Sequence, residues 1–443
     1  MFDRIARSLW QNDVLKGSAT ALSIKFTASV LGFTMFALSS RQMEPETFGA
    51  LAIIFNAMSF LSAAALCGQE TLIVRSWAEY CRSDRPALAR GALTFGAQVT
   101  LGAATLTALV IGLVWSLFDR TDSLPLILAA CAFLFCHALL QFSGQFSRVA
   151  AGLIIGEGPR ELLWRLIVVV TIGVHHVMNV AFGTTEFFLA AAGAITFGIV
   201  LQAVQVARMI PMAVRQAKPE FDVRAWVPRS FKMWLSALMD TTGQYLEVVA
   251  VGFVLGPKAA GFYFVITRIT NVFAMITGSI SVYATPQISA LFYSNAKPEL
   301  QRILRLLAVI AAVLIGSTLL LIVVAGKLLL WMFGAAYVAI YPALIILALG
   351  ASVGALVGPA AHVLLLTGHE GAYPRIMASG LMVRFVMIVV LGHMFGLMGA
   401  VVATAVSTVF IALALILACR RLVGLDPSLS FAFGRMRQQA AKP

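Results

Sequence analysis

Twelve apolar stretches follow one another along this 443-residue chain and leave little between them. A bilayer's hydrocarbon core is about 30 Å thick, and a helix needs about 20 apolar residues to cross it. Each stretch reaches that length. In hydrocarbon the backbone must satisfy its own hydrogen bonds, so helices or a closed barrel are the only spanning structures. The runs lack the two-residue alternation of barrel strands, which leaves helices. The expected segments are about 17–39, 47–67, 90–118, 124–146, 160–180, 184–207, 230–256, 260–285, 303–325, 340–366, 373–394 and 397–419. No room remains for a soluble catalytic domain, and the chain is not expected to be an enzyme.

Charged residues are 12% of the chain, about half the share of a soluble domain. The net charge of +13 would suit nucleic acid, but its placement points to lipid. With the N-terminus inside, Arg41, Arg120, Lys258 and Lys327 fall outside, and Lys25, Arg268 and Arg384 lie within helices. All other lysines and arginines fall on the cytoplasmic face. That bias places both termini in the cytoplasm. The basic surface then meets anionic membrane lipids, and nucleic acid is not an expected partner. The five cysteines form no CxxC or zinc spacing, so no metal or other cofactor is expected.

Residues 1–16 mix Arg4, Arg7 and Lys16 with Phe2, Ile5, Leu9 and Trp10, as a short interfacial helix does. The longest polar stretch, 208–229, carries five basic residues and Pro211, Pro219 and Pro228. It reads as a cytoplasmic linker between a six-helix lobe at 17–207 and another at 230–419, followed by a basic tail at 420–443. The halves echo one another: Gly49 matches Gly261, Phe182-Gly183 matches Phe395-Gly396, and Arg208 matches Arg421 at nearly constant spacing. An even number of helices per half makes the repeats parallel, an arrangement transporters use around a midplane site. The expected fold is therefore an all-α membrane protein of twelve helices, in two pseudo-symmetric six-helix lobes around a central cavity.

Charges at mid-bilayer are costly and usually face a bundle interior or a wet cavity. The candidates are Lys25, Arg165, Asp240, Glu247, Arg268 and Arg384, with Arg75 beside Glu70 at the cytoplasmic mouth. Asp240 and Glu247 are two turns apart and would share a helix face with Gln244. They read either as a coupling site for a proton or sodium ion or as partners of Arg268 and Arg384. The cations read as a basic cavity for an anionic head group. Against that stand snorkelling for Lys25, structural ion pairs for Arg165, Arg268 and Arg384, and an interfacial anchor for Arg75.

The segments "SSRQMEPETFGALAII" (39–54), "LGPKAAGFYFVITRI" (255–269), "ATPQISALF" (284–292), "WMFGAAYVAIYPALIILALG" (331–350) and "FGLMGAVVATAVS" (395–407) resemble the polysaccharide transporters. These are the O-antigen and exopolysaccharide repeat-unit flippases within the multidrug/oligosaccharidyl-lipid/polysaccharide exporter superfamily. The likeness covers roughly 15–420. It implies a transporter of the bacterial inner membrane that alternates between inward- and outward-open states. Its cargo would be an undecaprenyl-diphosphate-linked oligosaccharide, moved to the periplasmic leaflet, with a polysaccharide polymerase and other export proteins as partners. The related lipid II flippases carry basic residues in the first and eighth helices, where Lys25 and Arg268 fall here. They also place an acidic residue of a sodium site on the seventh, where Asp240 falls. This chain lacks their two additional C-terminal helices, which sets lipid II apart as cargo.

Electrostatics favour an anionic cargo as well. Each charge crossing 100 mV is worth about 2.3 kcal/mol, so a diphosphate with two charges gains roughly 4–5 kcal/mol on leaving an inside-negative cell. A cation-coupled multidrug antiporter of the same superfamily is the nearest alternative, and it would favour an acidic, aromatic cavity. A membrane-embedded glycan polymerase or ligase would need longer external loops than this chain offers.

Overall fold

A computed structural model describes residues 2–118, 124–294, 297–357, 360–367 and 371–424. Every regular element among the described residues is helical. In chain order they are α1 (Phe2–Gln42), α2 (Pro45–Ala65), α3 (Gln69–Arg82), α4 (Pro86–Phe118), α5 (Leu124–Ala151), α6 (Leu153–Glu157), α7 (Trp164–Val177), α8 (Thr184–Met209) and α9 (Met212–Gln216). They continue as α10 (Val223–Thr241), α11 (Glu247–Leu255), α12 (Pro257–Thr270), α13 (Val272–Tyr293), α14 (Lys297–Trp331), α15 (Tyr341–Ala355), α16 (Ala360–Leu366) and α17 (Ala372–Ala418). Among the described residues, nine helical stretches are long and apolar enough to cross a membrane. The expected spans at 160–180 and 230–256 are not among them. Each is diluted by charged and polar residues, and each contains a π-turn, Gly158–Leu163 in one and Thr242–Leu246 in the other.

The expected interfacial helix at the N-terminus runs straight into the first span as the single 41-residue helix α1. The opposite happens at the C-terminal end, where the eleventh and twelfth segments meet within α17. Gly396 (φ 60, ψ −143) takes a conformation essentially confined to glycine and reverses the chain. Ser407 returns to Arg384 across this reversal, and Ile411 packs on Gly380. The part of the basic tail at 425–443 lies outside the described residues.

The chain forms two compact units, Met1–Val249 and Ala250–Pro443. The first is filled by aromatic rings. Phe36, Phe55, Phe133, Phe187 and Phe188 form one connected cluster with ring centroids 5.0–6.2 Å apart. Trp77 with Phe146, and Tyr80 and Phe95 with Trp226, pack into a second core cluster. Lipid tails are as apolar as leucine, so such packing holds helices together by close contact more than by escape from water.

The 208–229 stretch is built onto this first unit. Arg90 donates to the carbonyls of Arg215 (2.5 Å) and Ala217 (2.7 Å), and the amide of Glu220 donates to Ala87 O at 3.1 Å. Trp226, fully buried, donates its indole N–H to Tyr80 Oη at 2.8 Å. Asp222 caps α10 by accepting from the Ala225 amide at 3.3 Å.

In the second unit, small residues let α15 and α17 touch. A methyl added at Gly350 would fall 2.6 Å from Ala405, and one at Gly354 would fall 2.6 Å from the Thr408 methyl. Close backbone approach of this kind is the usual basis of helix association in lipid. Tyr263, on α12, is tied to α17 by a 2.7 Å hydrogen bond with Thr404.

Candidate functional site

In the first unit the helical path breaks between α5 and α7. Gly152 ends α5 at φ +100, α6 lasts five residues, and Pro159, second in the π-turn, has no N–H to donate. Two carbonyls that would otherwise sit in ordinary helix need donors. Gln202 of α8 supplies them: its amide donates to Gly156 O at 2.9 Å and Ile155 O at 3.2 Å. Its own oxygen accepts from the Ser143 hydroxyl at 2.9 Å. Irregular backbone at membrane depth persists only with such support.

Around this break five ionic groups alternate in sign. Glu157 accepts from Arg160 at 2.7 Å and faces Arg148 at 3.5 Å. Glu161 lies 3.3 Å from Arg160 and 2.9 Å from Arg165. Arg165 also donates to the Glu161 backbone carbonyl, and its guanidinium lies 5.0 Å over the Trp164 ring. Glycines make room for these long side chains. A Cβ on Gly144 would fall 2.7 Å from Arg160 Cδ, and one on Gly156 would fall 2.6 Å from Arg148 Cβ; Gly32 of α1 stands in ordinary contact range of Arg165. Lys25, two turns before Gly32, is exposed and close enough to Glu161 to act on it electrostatically. The cluster thus holds three arginines against two carboxylates, with Lys25 as a further cation.

Of these groups the sequence singled out Lys25 and Arg165 alone. Arg148, Glu157, Arg160 and Glu161 look like ordinary interfacial charge when read linearly. Their signal was the spacing: Glu157 and Arg160, then Glu161 and Arg165, stand at the i,i+3 and i,i+4 intervals of neighbouring helical side chains.

His137 lies deeper in the same unit, stacked on Phe133 at 5.2 Å. Ser62 donates its hydroxyl to Ser59 O at 2.8 Å and stands 2.7 Å from His137 Nδ1. The ring therefore carries its proton on Nδ1 and donates to Ser62. On the other side Nε2 accepts from the Gln141 amide at 3.2 Å. These partners assign a neutral imidazole.

Arg75 is exposed on α3, with Glu70 one turn and a residue away in the first turn of that helix. Asp240 and Glu247 do not share a face. The π-turn between them absorbs about one extra residue, roughly 100° of helical phase. Accordingly Asp240 is exposed and Glu247 is 7% exposed.

In the second unit Arg384 is half-buried between the arms of α17. Its Nε donates to Ser407 Oγ and its Nη2 to Thr408 Oγ1, both at 2.8 Å. Both hydroxyls in turn donate to Thr404 O, at 3.0 and 2.8 Å, which fixes their lone pairs towards the guanidinium. Arg268 on α12 lies 4.6 Å over the Phe264 ring, a cation–π contact. Among the described residues, no three His, Cys, Asp or Glu side chains stand together as a metal site.

No family model matches this chain, and no curated protein matches it in sequence. Solved structures do match it in shape. An inward-facing multidrug resistance MATE family transporter of the MOP superfamily superposes with a TM-score of 0.71 at 14% identity, over 96% of this chain and 98% of that one. The lipid II flippase MurJ in an inward closed conformation gives 0.67 at 11% identity, over 90% and 87%. A MOP superfamily transporter from Pyrococcus furiosus, described as having a binding pocket of reversed polarity that suggests a different function, gives 0.59 at 14% identity, over 97% and 96%. Likeness along nearly the whole of each chain, at such low identity, is a likeness of architecture. This chain has the fold of the MOP superfamily transporters.

Proposed function

We propose that the chain is an alternating-access transporter of the bacterial inner membrane, with twelve spans in two six-helix halves and both termini in the cytoplasm. Its cargo carries negative charge. One observation supports that sign: the ionic cluster of the first unit has more cations than carboxylates, with Lys25 beside it. A low-dielectric interior with surplus positive charge lowers the cost of admitting a phosphate and raises that of admitting a cationic drug. The motif resemblance narrows the cargo to an undecaprenyl-diphosphate-linked oligosaccharide, moved from the cytoplasmic to the periplasmic leaflet. Lys25, Arg268 and Arg384 are its phosphate contacts in this reading. Arg165 takes part through the ion-paired cluster, and Arg75 at the entrance.

The second reading is a cation-coupled multidrug antiporter, with Asp240 or Glu247 as the coupling group. Overall shape favours it, because most of the matching structures are multidrug transporters and the 0.71 match exceeds that of the flippase. Fold alone therefore backs the antiporter better. The sign of the embedded charge stands against it, and the Pyrococcus furiosus transporter's description offers a parallel for such a reversal within the superfamily.

One experiment separates the two. The purified chain is placed in vesicles carrying a fluorescent polyprenyl-diphosphate sugar, and leaflet exchange is read by quenching. The same vesicles are tested for ethidium uptake under sodium and proton gradients. Exchange that Lys25→Gln and Arg384→Met diminish supports the flippase. Ethidium movement without lipid exchange establishes the antiporter.

A further inference from the structure

The first half of α10 has one packed face and one bare face. On the packed face Trp226 is fully buried and donates its indole N–H to Tyr80 Oη at 2.8 Å, and Trp234 donates to Ala64 O at 2.8 Å. Gly68 is pressed against the Ser230 carbonyl, and Arg229 stands 3.6 Å from Glu79. On the other face Val223, Val227, Phe231 and Leu235 follow one another at four-residue steps, each 44–57% exposed. That spacing sets them in one stripe, about 18 Å long at 1.5 Å per residue. Arg224, Pro228 and Lys232 form the neighbouring stripe, all exposed. Neither Arg224 nor Lys232 has an ion-pair partner among the described residues.

The depth of this bare face follows from α2. Its 21 residues rise about 31 Å, the thickness of the hydrocarbon core, so Ala64 and Ala65 stand at one edge of that core. Past the edge the chain changes character: α3 carries Glu70, Arg75, Glu79 and Arg82 within 14 residues. Trp234 is hydrogen-bonded at the edge, and Trp226 and Arg229 reach α3 beyond it. The residues of α10 before Trp234 therefore lie level with lipid head groups. A contiguous apolar stripe needs no cover among acyl chains, but at this level it marks a contact surface.

We propose that this face is a docking surface for the anionic lipids of the adjoining leaflet. The apolar stripe sinks to the boundary between head groups and acyl chains, and Arg224 and Lys232 meet the lipid phosphates. An apolar stripe bordered by basic residues is the pattern of helices that lie in the interface. Charge selects acidic lipid over neutral lipid. From 208 to 235 the chain carries Arg208, Arg215, Lys218, Arg224, Arg229 and Lys232 against Glu220 and Asp222, and the Asp222 carboxylate is occupied in capping α10. An acidic headgroup layer complements that surplus. The bonds to Ala64 and Tyr80 hold the face at the depth where the layer lies. The surface stands apart from the cargo contacts, and only its assignment to the cytoplasmic leaflet rests on the orientation proposed above.

The test uses the full chain purified in detergent, with native mass spectrometry counting the phosphatidylglycerol and phosphatidylcholine it retains. Phosphatidylglycerol should be preferred, and Arg224→Gln and Lys232→Gln should each weaken its retention about fivefold. Lys218→Gln, away from the apolar stripe, should change it less. In vesicles, the fluorescence that Phe231→Trp adds to the parent should be quenched by brominated acyl chains, more on phosphatidylglycerol than on phosphatidylcholine. Retention indifferent to Arg224→Gln and Lys232→Gln overturns the surface. So does Phe231→Trp fluorescence that neither lipid quenches, which would assign the stripe to a protein partner. Equal quenching by the two lipids overturns the preference for acidic lipid. Inorganic phosphate that displaces phosphatidylglycerol at equal concentration assigns the cations to a free anion and overturns the lipid contact. Sidedness is read separately with trypsin. Cleavage within 208–229 in inverted vesicles alone upholds the cytoplasmic leaflet. Cleavage there in right-side-out vesicles alone leaves the surface standing and overturns the orientation in the transport reading.

Discussion

The two units hold an embedded arginine with different groups. In the first, Arg160 is held between Glu157 and Glu161, and Arg165 is tied to Glu161, so most of the positive charge is answered by carboxylate close by. In the second, two hydroxyls that Thr404 O has already oriented hold Arg384 in place. Hydroxyls position a guanidinium but bring no charge. The first arrangement is a strut: it braces a broken helix, and each member loses its reason to be buried if its partner goes. The second ties a guanidinium to neutral groups on the facing arm of the same helical hairpin. A charge inside a membrane protein is thus no evidence of a binding role until its partners are known.

Breaking the strut should have the largest effect on stability. Glu157→Gln leaves Arg160 with Glu161 as its one remaining carboxylate in the cluster and Arg148 facing a neutral amide, and loss of about 3 kcal/mol is expected. Detergent melting curves of the variant check this, and an unchanged melting temperature would make the pairing incidental. Next in size is Gln202→Leu. It strips the donors from Gly156 O and Ile155 O and should cost about 2 kcal/mol; faster proteolysis at the α5–α7 break would accompany it.

Arg384→Met sharpens the contrast from the other side. Its stability cost should stay below about 1 kcal/mol, because Ser407 and Thr408 can still bond to Thr404 O. Lipid exchange in vesicles should nonetheless fall about tenfold or more, equivalent to roughly 1.4 kcal/mol in the barrier. A variant that melts far earlier but transports normally would show Arg384 to be a second strut. The smallest change in melting is expected for Lys25→Gln, within about 0.5 kcal/mol. Its exchange rate should still drop measurably if Lys25 meets the cargo.

The helical membrane fold was legible because lipid imposes one rule on every spanning residue, and that rule writes itself into long apolar runs. The reversal at Gly396 was legible too, since Phe395-Gly396 separates two such runs. Less visible was the interrupted geometry of the spans at 160–180 and 230–256. A π-turn has no compositional mark, and it is why Asp240 and Glu247, two turns apart by count, face different surroundings. Among the candidate residues, Arg165 was visible as a charge, while Glu157 and Glu161, its chain of counter-ions, were hidden in what reads as interfacial sequence.

Sequence alone therefore determined the solvent this chain lives in, its helical class and the excess of positive charge it carries into the membrane. Those are sums over residues, and they survive any rearrangement of the helices. Only the tertiary structure decided which charge is spent on a carboxylate and which is held by hydroxyls. Such outcomes depend on groups far apart in the chain, as with Gln202 and Gly156 or Arg90 and Arg215, meeting within a few ångströms. Coulomb and hydrogen-bond energies act at that range, and a linear pattern does not encode it.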